Sequence, residues 1–509
     1  MIGELPEGWA RPPLAEIAEI NPRHPKRLDD SMPVSFAPMA AVSESKAEFQ
    51  FLEERRLGKV RQGFTHFAEG DVLFAKITPC MENGKGAVAT GLRNGLGCGT
   101  TELIVIRLLA GIDPHYVYRF LAQPSVRREA KEHFTGTAGQ ERVPTSFIEE
   151  LEVPLAPISE QRRIAAKLEM LLEKVDACQN RLANIPELLK RFRQSVLAAA
   201  CSGRLTADWR EETKTAVDSN GPDEAPDGYP PLPSTWRWAS LEAVCKEIVD
   251  CPHSTPKWTA SGHFCVRTTN FKPGILDLSE VRYVSNATFR QRIERLHPQP
   301  GDILYSREGG ILGIACIIPP GVELCLGQRM MLLRTGPEFT GALLMHWLNS
   351  PLTLRRVQQL TGGTASPHLN VRDIKDFPTP VPPFAEQHEI VRRLEALLAL
   401  ADQIEARLEK AQAQVDKLTP SLFAKAFSGE LVPIEAELAR QEHRDYEPAS
   451  VLLERLQRER NGGRSATKEE HGVSKTKLRG TQQRTRMASA GPRGLVRKGL
   501  ARKPPQTAR

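Results

Sequence analysis

The sequence lacks any run of apolar residues long enough to cross a lipid bilayer, although it extends over 509 residues. Its first residues, Met1-Ile-Gly-Glu-Leu-Pro, do not have the charged and apolar regions of a signal peptide. Its nine cysteines are odd in number and scattered without tight pairs, which argues against a disulfide framework. These absences predict a cytoplasmic protein without a membrane segment. The length of the chain is enough for two or three domains.

Most of the chain also lacks an excess of positive charge. Residues 461–509 contain 13 Lys and Arg but only 2 Asp and Glu, which gives this segment a net charge of +11. Because the whole chain carries +7, the residues before this segment carry −4. We therefore expect residues 462–509 to form a disordered basic tail, which either attracts phosphates without sequence preference or is dispensable. On the rest of the chain, a surface that attracts an anionic partner such as a nucleic acid would have to be local.

Familiar catalytic signatures are missing. Gly84-Lys85 does not form a phosphate-binding loop, because Pro79 stands where the first glycine is required and Gly86 replaces Ser or Thr. Asp113-Pro-His-Tyr116 matches the Asn/Asp-Pro-Pro-Tyr box of adenine methyltransferases only in part, and we expect Asp113 to cap the helix that follows. The carboxylate–lysine pattern of a nuclease is absent too. Binding is therefore the function that the chain can supply by itself.

One segment rich in cysteine and histidine raises the alternative of a zinc site. Its four potential ligands lie within fifteen residues, at Cys251, His253, His263 and Cys265. The separations Cys-x-His and His-x-Cys are shorter than the spacing of about two to four residues that is usual for zinc. The first half of the chain has no equivalent cluster. We expect no bound metal and place these residues in a loop near a recognition surface.

Two long heptad repeats dominate what is present. In each, apolar residues recur at alternating steps of four and three, as in the seam of a coiled coil. The first seam consists of Ile164, Leu168, Leu171, Val175, Cys178, Leu182, Ile185, Leu189, Phe192 and Val196. The second seam, 226 positions later throughout, consists of Ile390, Leu394, Leu397, Ala401, Ile404, Leu408, Ala411, Val415, Leu418 and Leu422.

The matching phase predicts two long helices that pair with each other inside one chain. A parallel dimer of two chains is the other interpretation, but a duplicated chain can pair its own helices without a partner. Residues 164–196 alone would form a rod of roughly 50 Å at about 1.5 Å per residue. Pro186 lies within this rod, and because the heptad phase continues across it we expect a kink and not a helix end.

The segments before the two helices repeat each other as well. Their anchors recur at offsets between 226 and 231 residues: Leu5-Pro-Glu-Gly-Trp9 and Leu232-Pro-Ser-Thr-Trp236, Gly70-Asp-Val-Leu-Phe and Gly301-Asp-Ile-Leu-Tyr, Gly136-Thr-Ala and Gly363-Thr-Ala, Glu160-Gln161 and Glu386-Gln387, and Ser202-Gly-Arg-Leu205 and Ser428-Gly-Glu-Leu431. Between these anchors, residues 76–97 differ widely from residues 307–327. A shared scaffold with different contents indicates two similar modules that bind different ligands.

Local patterns predict several elements. Gly70-Asp-Val-Leu-Phe-Ala and Glu102-Leu-Ile-Val-Ile-Arg are typical of buried strands, and residues 115–132 have helical spacing. Ser159 is a candidate N-cap of the first long helix, and Glu160 suits the positive end of its dipole. Residues 447–460 are predicted to form one more short helix.

The order of these motifs resembles one family. The alternation of module and long helix, with Glu-Gln at each helix start and Ser-Gly-x-Leu at each helix end, resembles the specificity subunit of type I restriction–modification systems. Ser421-Leu-Phe-Ala-Lys-Ala-Phe-Ser-Gly-Glu-Leu-Val432 is close to that family's signature. Asp250-Cys-Pro-His-Ser-Thr-Pro-Lys257 is similar to a stretch near the start of many of its target recognition domains. The resemblance covers about residues 5–460 and leaves out the basic tail.

The resemblance implies an α+β fold with a pseudo-twofold internal repeat. Two similar α/β target recognition domains would be separated by two long helices that form an antiparallel coiled coil. The implied boundaries are target recognition domain 1 at 1–157, helical spacer 1 at 158–204, a linker at 205–231, target recognition domain 2 at 232–383, helical spacer 2 at 384–432, an extension with a short helix at 433–461 and the tail at 462–509.

The resemblance also implies a non-catalytic subunit. Each recognition domain would bind one half of a bipartite site in double-stranded DNA, and two modification (methyltransferase) subunits would dock on the helices. Two restriction (translocase/endonuclease) subunits would join through them. S-adenosylmethionine, ATP and Mg are then expected on the partner subunits, with no cofactor on this chain. A scaffold without modification partners and a self-contained methyltransferase or nuclease remain as alternatives.

DNA contacts are expected from basic and amide side chains on loops, because Arg and Lys suit guanine whereas Asn and Gln suit adenine. In the first module the candidates are Lys76, Asn83, Lys85, Gln140 and Arg142. In the second module they are His253, Lys257, Arg307, Gln328, Arg329, His368 and Asn370. For Gln328 and Arg329 a buried structural role is the alternative, because both adjoin a strand.

Overall fold

The computed structural model describes residues 4–44, 46–137, 140–213, 224–362 and 367–460. The predicted tail at 462–509 and the repeated motif Gly363-Thr-Ala lie outside the described residues. The chain divides into two compact units, unit 1 with Met1–Val175 and Lys417–Arg509, and unit 2 with Asp176–Asp416. Each unit therefore contains one globular module and a part of both long helices.

The first module and the first long helix contain short strands between short helices. These elements are α1 (Leu14–Ile17), β1 (Ala18–Ile20), β2 (Pro33–Ala37), β3 (Glu53–Arg56), α2 (Leu57–Val60), β4 (Thr65–Ala68), β5 (Val72–Ala75), β6 (Gly86–Val88), β7 (Leu96–Gly99), β8 (Leu103–Leu108), α3 (Pro114–Leu121), α4 (Pro124–Glu132), α5 (Thr145–Glu150) and α6 (Ile158–Cys201).

The rest of the described chain adds the second module, the second long helix and two C-terminal helices. These elements are α7 (Ala207–Thr213), β9 (Arg237–Ser240), α8 (Leu241–Val244), β10 (Cys245–Asp250), β11 (Trp258–Thr259), β12 (His263–Val266), β13 (Phe271–Lys272), β14 (Ile275–Leu276), β15 (Arg282–Val284), α9 (Asn286–Ile293), β16 (Ile303–Ser306), β17 (Ala315–Ile317), β18 (Leu324–Leu326), β19 (Met330–Thr335), α10 (Gly341–Leu348), α11 (Pro351–Thr361), α12 (Val371–Lys375), β20 (Pro378–Val381), α13 (Phe384–Phe427), α14 (Glu435–Glu442) and α15 (449–460).

An antiparallel sheet of four strands forms the framework of each module. In unit 1 its strand order is β1-β8-β5-β6. In unit 2 the corresponding order is β10-β19-β16-β17, again with every neighbour antiparallel. The two sheets match strand for strand, which confirms the predicted internal repeat.

A second sheet in each module shares a parallel pair but differs at one edge. β2 runs parallel to β7 in unit 1, and β12 runs parallel to β18 in unit 2. The fourth strand is β4, beside β7, in unit 1, whereas in unit 2 it is β11, beside β15. The additional strand therefore lies on opposite sides of the shared pair. Short ribbons of β13 with β14 and of β9 with β20 complete unit 2.

The strands predicted in the first module are present, but the predicted helix is divided. β5 is buried along its whole length, and β8 is buried over its first four residues. The helix expected over 115–132 is instead α3 and α4, because Pro124 has no N–H with which to continue the backbone ladder. Asp113 caps α3 as predicted, since its Oδ1 accepts a hydrogen bond from the Tyr116 backbone N–H at 3.0 Å.

Each long helix has 44 residues, and α13 begins and ends 226 positions after α6, as the seams predict. At about 1.5 Å per residue each rod is roughly 66 Å long, which exceeds the length expected from the seam alone. Pro186 lies inside α6, which confirms that it does not end the helix. Ser159 is not an N-cap, because α6 begins one residue earlier, directly after Pro157.

Within each unit the two long helices pack antiparallel. The shared cores contain Ile164, Leu168, Phe423 and Ala426 in unit 1, and Val196, Ala200, Ile390 and Leu394 in unit 2. In unit 2, Arg193 Nη2 also donates to Asp402 Oδ1 at 2.7 Å and to Glu405 Oε2 at 2.6 Å. Residue numbers thus rise along α6 while those of its neighbours on α13 fall, as in an antiparallel pair.

The predicted seam is buried only in part. Ile404 and Leu418 are 37% and 46% exposed, and Cys178 is exposed as well, contrary to the expectation. Ile404 is exposed although Ala401 and Leu408 on either side of it are buried, so the seam is left uncovered at single positions and does not turn away progressively. The buried members are Ile164, Leu168, Val175, Leu189, Val196, Ile390, Leu394, Ala401 and Leu408. The half-buried members are Leu171, Leu182, Ile185, Phe192, Leu397, Ala411, Val415 and Leu422.

The beginning of the segment predicted as a linker at 205–231 is folded, contrary to the expectation. Thr206 is completely buried, and Ala207–Thr213 forms α7. The Thr206 hydroxyl donates to Glu386 Oε1 at 2.7 Å. The polar composition gave the wrong prediction for this part because its polar side chains form hydrogen bonds inside unit 2. Residues 214–223 lie outside the described residues.

The extension at 433–461 completes the core of unit 1. α15 confirms the helix predicted at 447–460, and its Leu452 and Leu456 are buried in the same core as Ile164. The Ala449 backbone N–H donates to the carbonyl of Gly8 at 2.8 Å. The first module is therefore folded around residues from both ends of the described chain.

Candidate DNA-recognition interface

A buried Asp–Arg pair fixes one end of each antiparallel sheet. Arg107 donates two hydrogen bonds to Asp71, at 2.9 and 2.8 Å. Arg334 does the same to Asp302, with both hydrogen bonds at 2.8 Å. The carboxylates are nearly inaccessible although Arg107 and Arg334 are 33% and 22% exposed, so removing either arginine would leave a buried carboxylate without its main partner. The repeated Gly-Asp motif is thus structural and stabilises the scaffold on which the loops at the other end are built.

The repeated Glu-Gln motif joins each module to the start of its long helix. Trp9 Nε1 donates to Glu160 Oε1 at 3.1 Å, and Trp236 Nε1 donates to Glu386 Oε2 at 2.9 Å. Glu160 also accepts from the Glu435 backbone N–H at 2.9 Å, and burial raises its pKa above the usual value. Both motifs are therefore internal joints, with no free group directed at a ligand.

Each neighbouring glutamine ties the joint to backbone. Gln161 Oε1 accepts from the Asp113 N–H at 2.8 Å, and its Nε2 donates to the carbonyl of Ala156 at 2.7 Å. Gln387 Oε1 accepts from the Thr340 N–H at 2.9 Å. Both glutamines are completely buried, so their amide groups satisfy loop backbone that water cannot reach.

The opposite end of each antiparallel sheet carries the variable loops. We define loop edge 1 as the described residues of 76–85, 100–102 and 135–142, and loop edge 2 as residues 250–257, 307–309, 327–329 and 367–370. In loop edge 2 the Arg307 N–H donates to the carbonyl of Arg329 at 3.0 Å, and the Leu369 N–H donates to the carbonyl of Arg307 at 2.9 Å. In loop edge 1 the Lys76 N–H donates to the carbonyl of Glu102 at 2.9 Å. Every candidate named from the sequence lies on one of these two edges.

Arg307 is a buried structural residue in loop edge 2, contrary to its prediction as a DNA contact. Its side chain is 8% exposed, and its Nε and Nη2 donate to Asp250 at 2.8 and 2.9 Å. Its Nη1 donates to the carbonyl of Leu369 at 3.0 Å. Through the bond to Leu369, Arg307 holds the loop at 367–370. These bonds leave little of its guanidinium accessible to solvent.

Gln328 and His253 link two loops of the same edge. Gln328 Nε2 donates to the carbonyl of His253 at 2.5 Å, and its Oε1 lies 3.4 Å from the Thr255 hydroxyl. Gln328 is half-buried, so it has the structural role weighed as its alternative. The His253 side chain is 63% exposed, and its Nε2 lies 3.1 Å from Asp250 Oδ2. His253 therefore presents an imidazole to solvent.

Four other candidates on loop edge 2 are exposed: Lys257, Arg329, His368 and Asn370. Arg329 has a positive φ of 67°, a backbone conformation that residues other than Gly, Asn, Asp and His seldom adopt. Asn370 Nδ2 donates to Asp373 Oδ2 at 2.9 Å at the start of α12. This edge thus exposes cationic and amide groups of the kinds that bind phosphates and base edges.

Loop edge 1 has different chemistry. Arg142 makes a bidentate ion pair with Glu102, at 2.8 and 2.9 Å, and this hydrogen bonding lowers the pKa of the Glu102 carboxyl. Lys85 is mostly buried, and its Nζ donates to the carbonyl of Met39 at 3.3 Å. Neither cation is wholly available to DNA in this structure. The exposed candidates are Asn83 and Gln140, and Lys76 is half-buried.

The sequence reasoning missed the partners that orient these loops. Glu102 and Asp250 were treated as parts of strands or motifs, although each lies beside a cationic candidate in space. Arg127, which lies within α4, is not among the predicted site residues. It donates from Nη1 to the carbonyl of Met81 at 2.6 Å and from Nη2 to the carbonyl of Gly84 at 2.9 Å, and burial lowers its pKa to about 10. No local sequence signal marks such long-range contacts.

The described part of the chain contains no group of His, Cys, Asp and Glu residues arranged to hold a metal ion. Cys251 and Cys265 lie in separate apolar clusters, and His263 stacks on Phe289 with ring centroids 4.2 Å apart. None of the helices described is both long and apolar enough to span a bilayer.

The two halves of the repeat match a known sequence family. The model of the type I restriction modification DNA specificity domain matches residues 6–187 and 281–412, which together make up more than half of the chain. The chain belongs to this family. It is thus a DNA sequence-recognition subunit of the type I restriction–modification kind, as the order of motifs had indicated.

Relatives and solved structures agree with this membership. The chain is 26% identical over 484 residues to the type I restriction enzyme EcoEI specificity subunit of Escherichia coli, covering 80% of this chain and 81% of the relative. It is 34% identical over 333 residues to the EcoBI specificity subunit of Escherichia coli, covering 62% and 66%. The HsdS subunit from Thermoanaerobacter tengcongensis aligns with a TM-score of 0.57 at 19% identity, covering 84% of this chain and 99% of that one. This structural likeness supports the fold of two modules and two long helices.

Proposed function

We propose that unit 1 and unit 2 bind the two unequal halves of a bipartite site in double-stranded DNA, through loop edge 1 and loop edge 2. One observation carries this proposal: the scaffold contacts recur in both units, whereas the loop edges do not. The backbone hydrogen bonds place half-buried Lys76 and Glu102 of loop edge 1 where loop edge 2 has buried Arg307 and exposed Arg329. Glu102 pairs with Arg142, whereas Arg307 pairs with Asp250. Because base-edge contacts supply sequence preference, different edges imply different half-sites.

The exposed side chains of loop edge 2 suit two kinds of DNA contact, with phosphates and with base edges. Lys257 is a flexible cation suited to phosphate, whereas Arg329 has a planar fork suited to the O6 and N7 atoms of guanine. Asn370 is suited to adenine, and on loop edge 1 the same applies to Asn83 and Gln140. The ion pairs of Arg142 with Glu102 and of Arg307 with Asp250 fix loop geometry before DNA arrives, which lowers the ordering cost of binding.

The long helices are proposed to dock two modification subunits, through which two restriction subunits join the complex. Leu400 and Ile404 of α13 are 48% and 37% exposed and lie one helical turn apart, so they form a short apolar strip of two side chains. Leu188 of α6 is 60% exposed in the same unit. Apolar strips of this kind on a charged helix suit contact with helices of a partner protein.

On this proposal the chain itself is non-catalytic and acts in the cytoplasm. The modification and restriction subunits would bind S-adenosylmethionine, ATP and Mg. The proposal is supported by the family's description as a DNA specificity domain and by the structural use made of Glu160 and Glu386, the buried carboxylates of the joints.

The test is selection from a pool of random DNA duplexes with the full-length chain and its co-expressed modification subunit. Selected sequences should share two short motifs separated by a fixed spacer, and Arg329→Ala should relax only one of them. Enrichment of a single uninterrupted motif would contradict a bipartite site. Failure of the chain to co-purify with a modification subunit would favour a scaffold without such partners.

A further inference from the structure

Arg292, on α9, is a buried arginine that binds the loops carrying the second recognition surface. Its side chain belongs to a residue only 6% exposed. Its Nη1 donates to the carbonyls of Leu326 and Gly327, each at 2.8 Å. Its Nη2 donates to the carbonyl of Ser254 and lies 3.4 Å from the Ser254 hydroxyl. One guanidinium therefore joins two segments that are far apart in sequence.

These two segments are the ones that carry most of the candidate contacts of loop edge 2. Ser254 lies between His253 and Lys257, and Gly327 directly precedes Gln328 and Arg329. Among the described residues, one other short side-chain hydrogen bond joins these segments: Gln328 Nε2 donates to the His253 carbonyl at 2.5 Å. At their base the two loops are joined by the pairing of β10 with β19 and by the Cys251 N–H, which donates to the Met330 carbonyl at 3.2 Å. Beyond that base, Arg292 and Gln328 supply the side-chain contacts that hold the two loops together.

The chemistry of this contact requires arginine. Among the residues that the structure describes, Arg292 forms no ion pair with a carboxylate, so carbonyl oxygens are the acceptors of its hydrogen bonds. A buried cation is costly unless such bonds compensate it. The planar fork of a guanidinium can reach three carbonyls at once, whereas the single ammonium of lysine cannot hold the same geometry.

The helix that carries Arg292 is a firm base for this contact. The Ser285 hydroxyl caps α9 by accepting from the Thr288 N–H at 3.3 Å. Phe289, one turn before Arg292, is buried among Cys265, Val284 and Cys325 of the second sheet. The second sheet thus holds α9 through Phe289, and the guanidinium of Arg292 binds the loops.

We infer that Arg292 is a positioning residue for sequence recognition: it holds the loops at 251–257 and 327–329 in the arrangement that meets DNA. Its effect on recognition rests on the proposed function of loop edge 2. Arg127 is its counterpart in unit 1, because it holds the turn at 81–84 that presents Asn83. Each unit then has a buried helical arginine, outside its loop edge, that sets the shape of recognition loops.

The first experiment measures loop geometry without DNA. Hydrogen exchange of the full-length chain is compared among wild type, Arg292→Met, Arg292→Lys and Arg290→Met; the last removes an exposed arginine of α9 and serves as the matched control. Both Arg292 variants should exchange about tenfold faster at 251–257 and 327–329, a change equivalent to about 1.4 kcal/mol. Unchanged exchange in folded Arg292→Lys would overturn the inference, and this variant decides the matter should Arg292→Met not fold.

The second experiment measures sequence preference with the random duplex pool. Arg292→Met should relax the motif bound by unit 2 about tenfold and leave the other motif intact, whereas Arg127→Met should do the reverse. Equal loss at both motifs, or affinity loss without a change in preference, would overturn the positioning role. If the wild-type chain selects no bipartite motif, the proposed function fails, and the exchange experiment still decides whether Arg292 holds the loops.

Discussion

Removing the carboxylate of Glu386 should destabilise unit 2 more than any exposed change on the same helix. Glu386 is completely buried and accepts hydrogen bonds from Trp236 Nε1 at 2.9 Å and from the Thr206 hydroxyl at 2.7 Å. It also pairs with Arg210, whose side chain is only 15% exposed. The substitution Glu386→Ala therefore leaves an indole N–H, a hydroxyl and a guanidinium short of an acceptor.

The expected cost follows from these three donors. Breaking a buried ion pair by removing one partner costs about 3–5 kcal/mol. Arg210 retains the carbonyl of Gly203 at 2.6 Å, which offsets part of the loss and favours the lower end of this range. For a unit of this size, 1 kcal/mol lowers the melting temperature by about 2–4 °C, so Glu386→Ala should lower it by about 6–12 °C.

The assay is calorimetric unfolding of the full-length chain, together with hydrogen exchange at 203–213. Glu395→Ala, an exposed change on the same helix, is the matched control and should alter stability by less than about 0.5 kcal/mol. Faster exchange at 203–213 in Glu386→Ala alone would show that this carboxylate holds the segment after α6. If Glu386→Ala and Glu395→Ala unfold at the same temperature, the joint does not stabilise unit 2 and the reasoning is wrong.

The remaining predictions concern pH, base contacts and the tail. Burial lowers the pKa of His346 from 6.5 to about 4. Because the unfolded chain then binds the proton more readily, the free energy of unfolding of unit 2 should fall by about 2–3 kcal/mol as pH drops from 6.5 through 4. His346→Leu should remove this loss, as measured by urea unfolding at pH 7 and 4.5. Arg329→Ala should cost about 1–3 kcal/mol at one base pair, and Lys257→Ala should weaken binding to all duplexes similarly and reduce the salt slope by about one, as measured by titrations at several salt concentrations. Deleting 462–509, which lies outside the described residues, should weaken all DNA binding and flatten its salt dependence, whereas a loss of sequence discrimination would oppose this.

The long helices and the repeat were predictable because their signals are local or periodic. The heptad seams gave the helix positions and their offset, and the apolar runs around Val72 and Leu103 gave two central strands. The seam failed at Ile404 and Leu418, because a seam position is buried only where neighbouring side chains cover it, and the repeat alone does not show where that happens. Periodicity therefore fixes where a helix lies more reliably than which side chains it buries.

The structural role of the polar residues was not predictable, because their partners are distant in sequence. Glu386 lies 180 positions from Thr206 and 150 from Trp236. Arg307 lies 57 positions from Asp250, so an arginine that looks like a loop contact in the sequence is a buried ion pair in the fold. A basic residue on a predicted loop is thus a weak indication of DNA contact until its carboxylate neighbours are known.

The central claim is that two unlike modules on a shared scaffold each specify one half of a divided DNA sequence. The most direct measurement is methylation-aware sequencing of a genome after residues 1–157 are replaced by the first module of another specificity subunit that retains tryptophan at the position of Trp9. The account predicts that one half of the methylated sequence changes while the other half and the spacer stay the same. A change in both halves, or in neither, would contradict it.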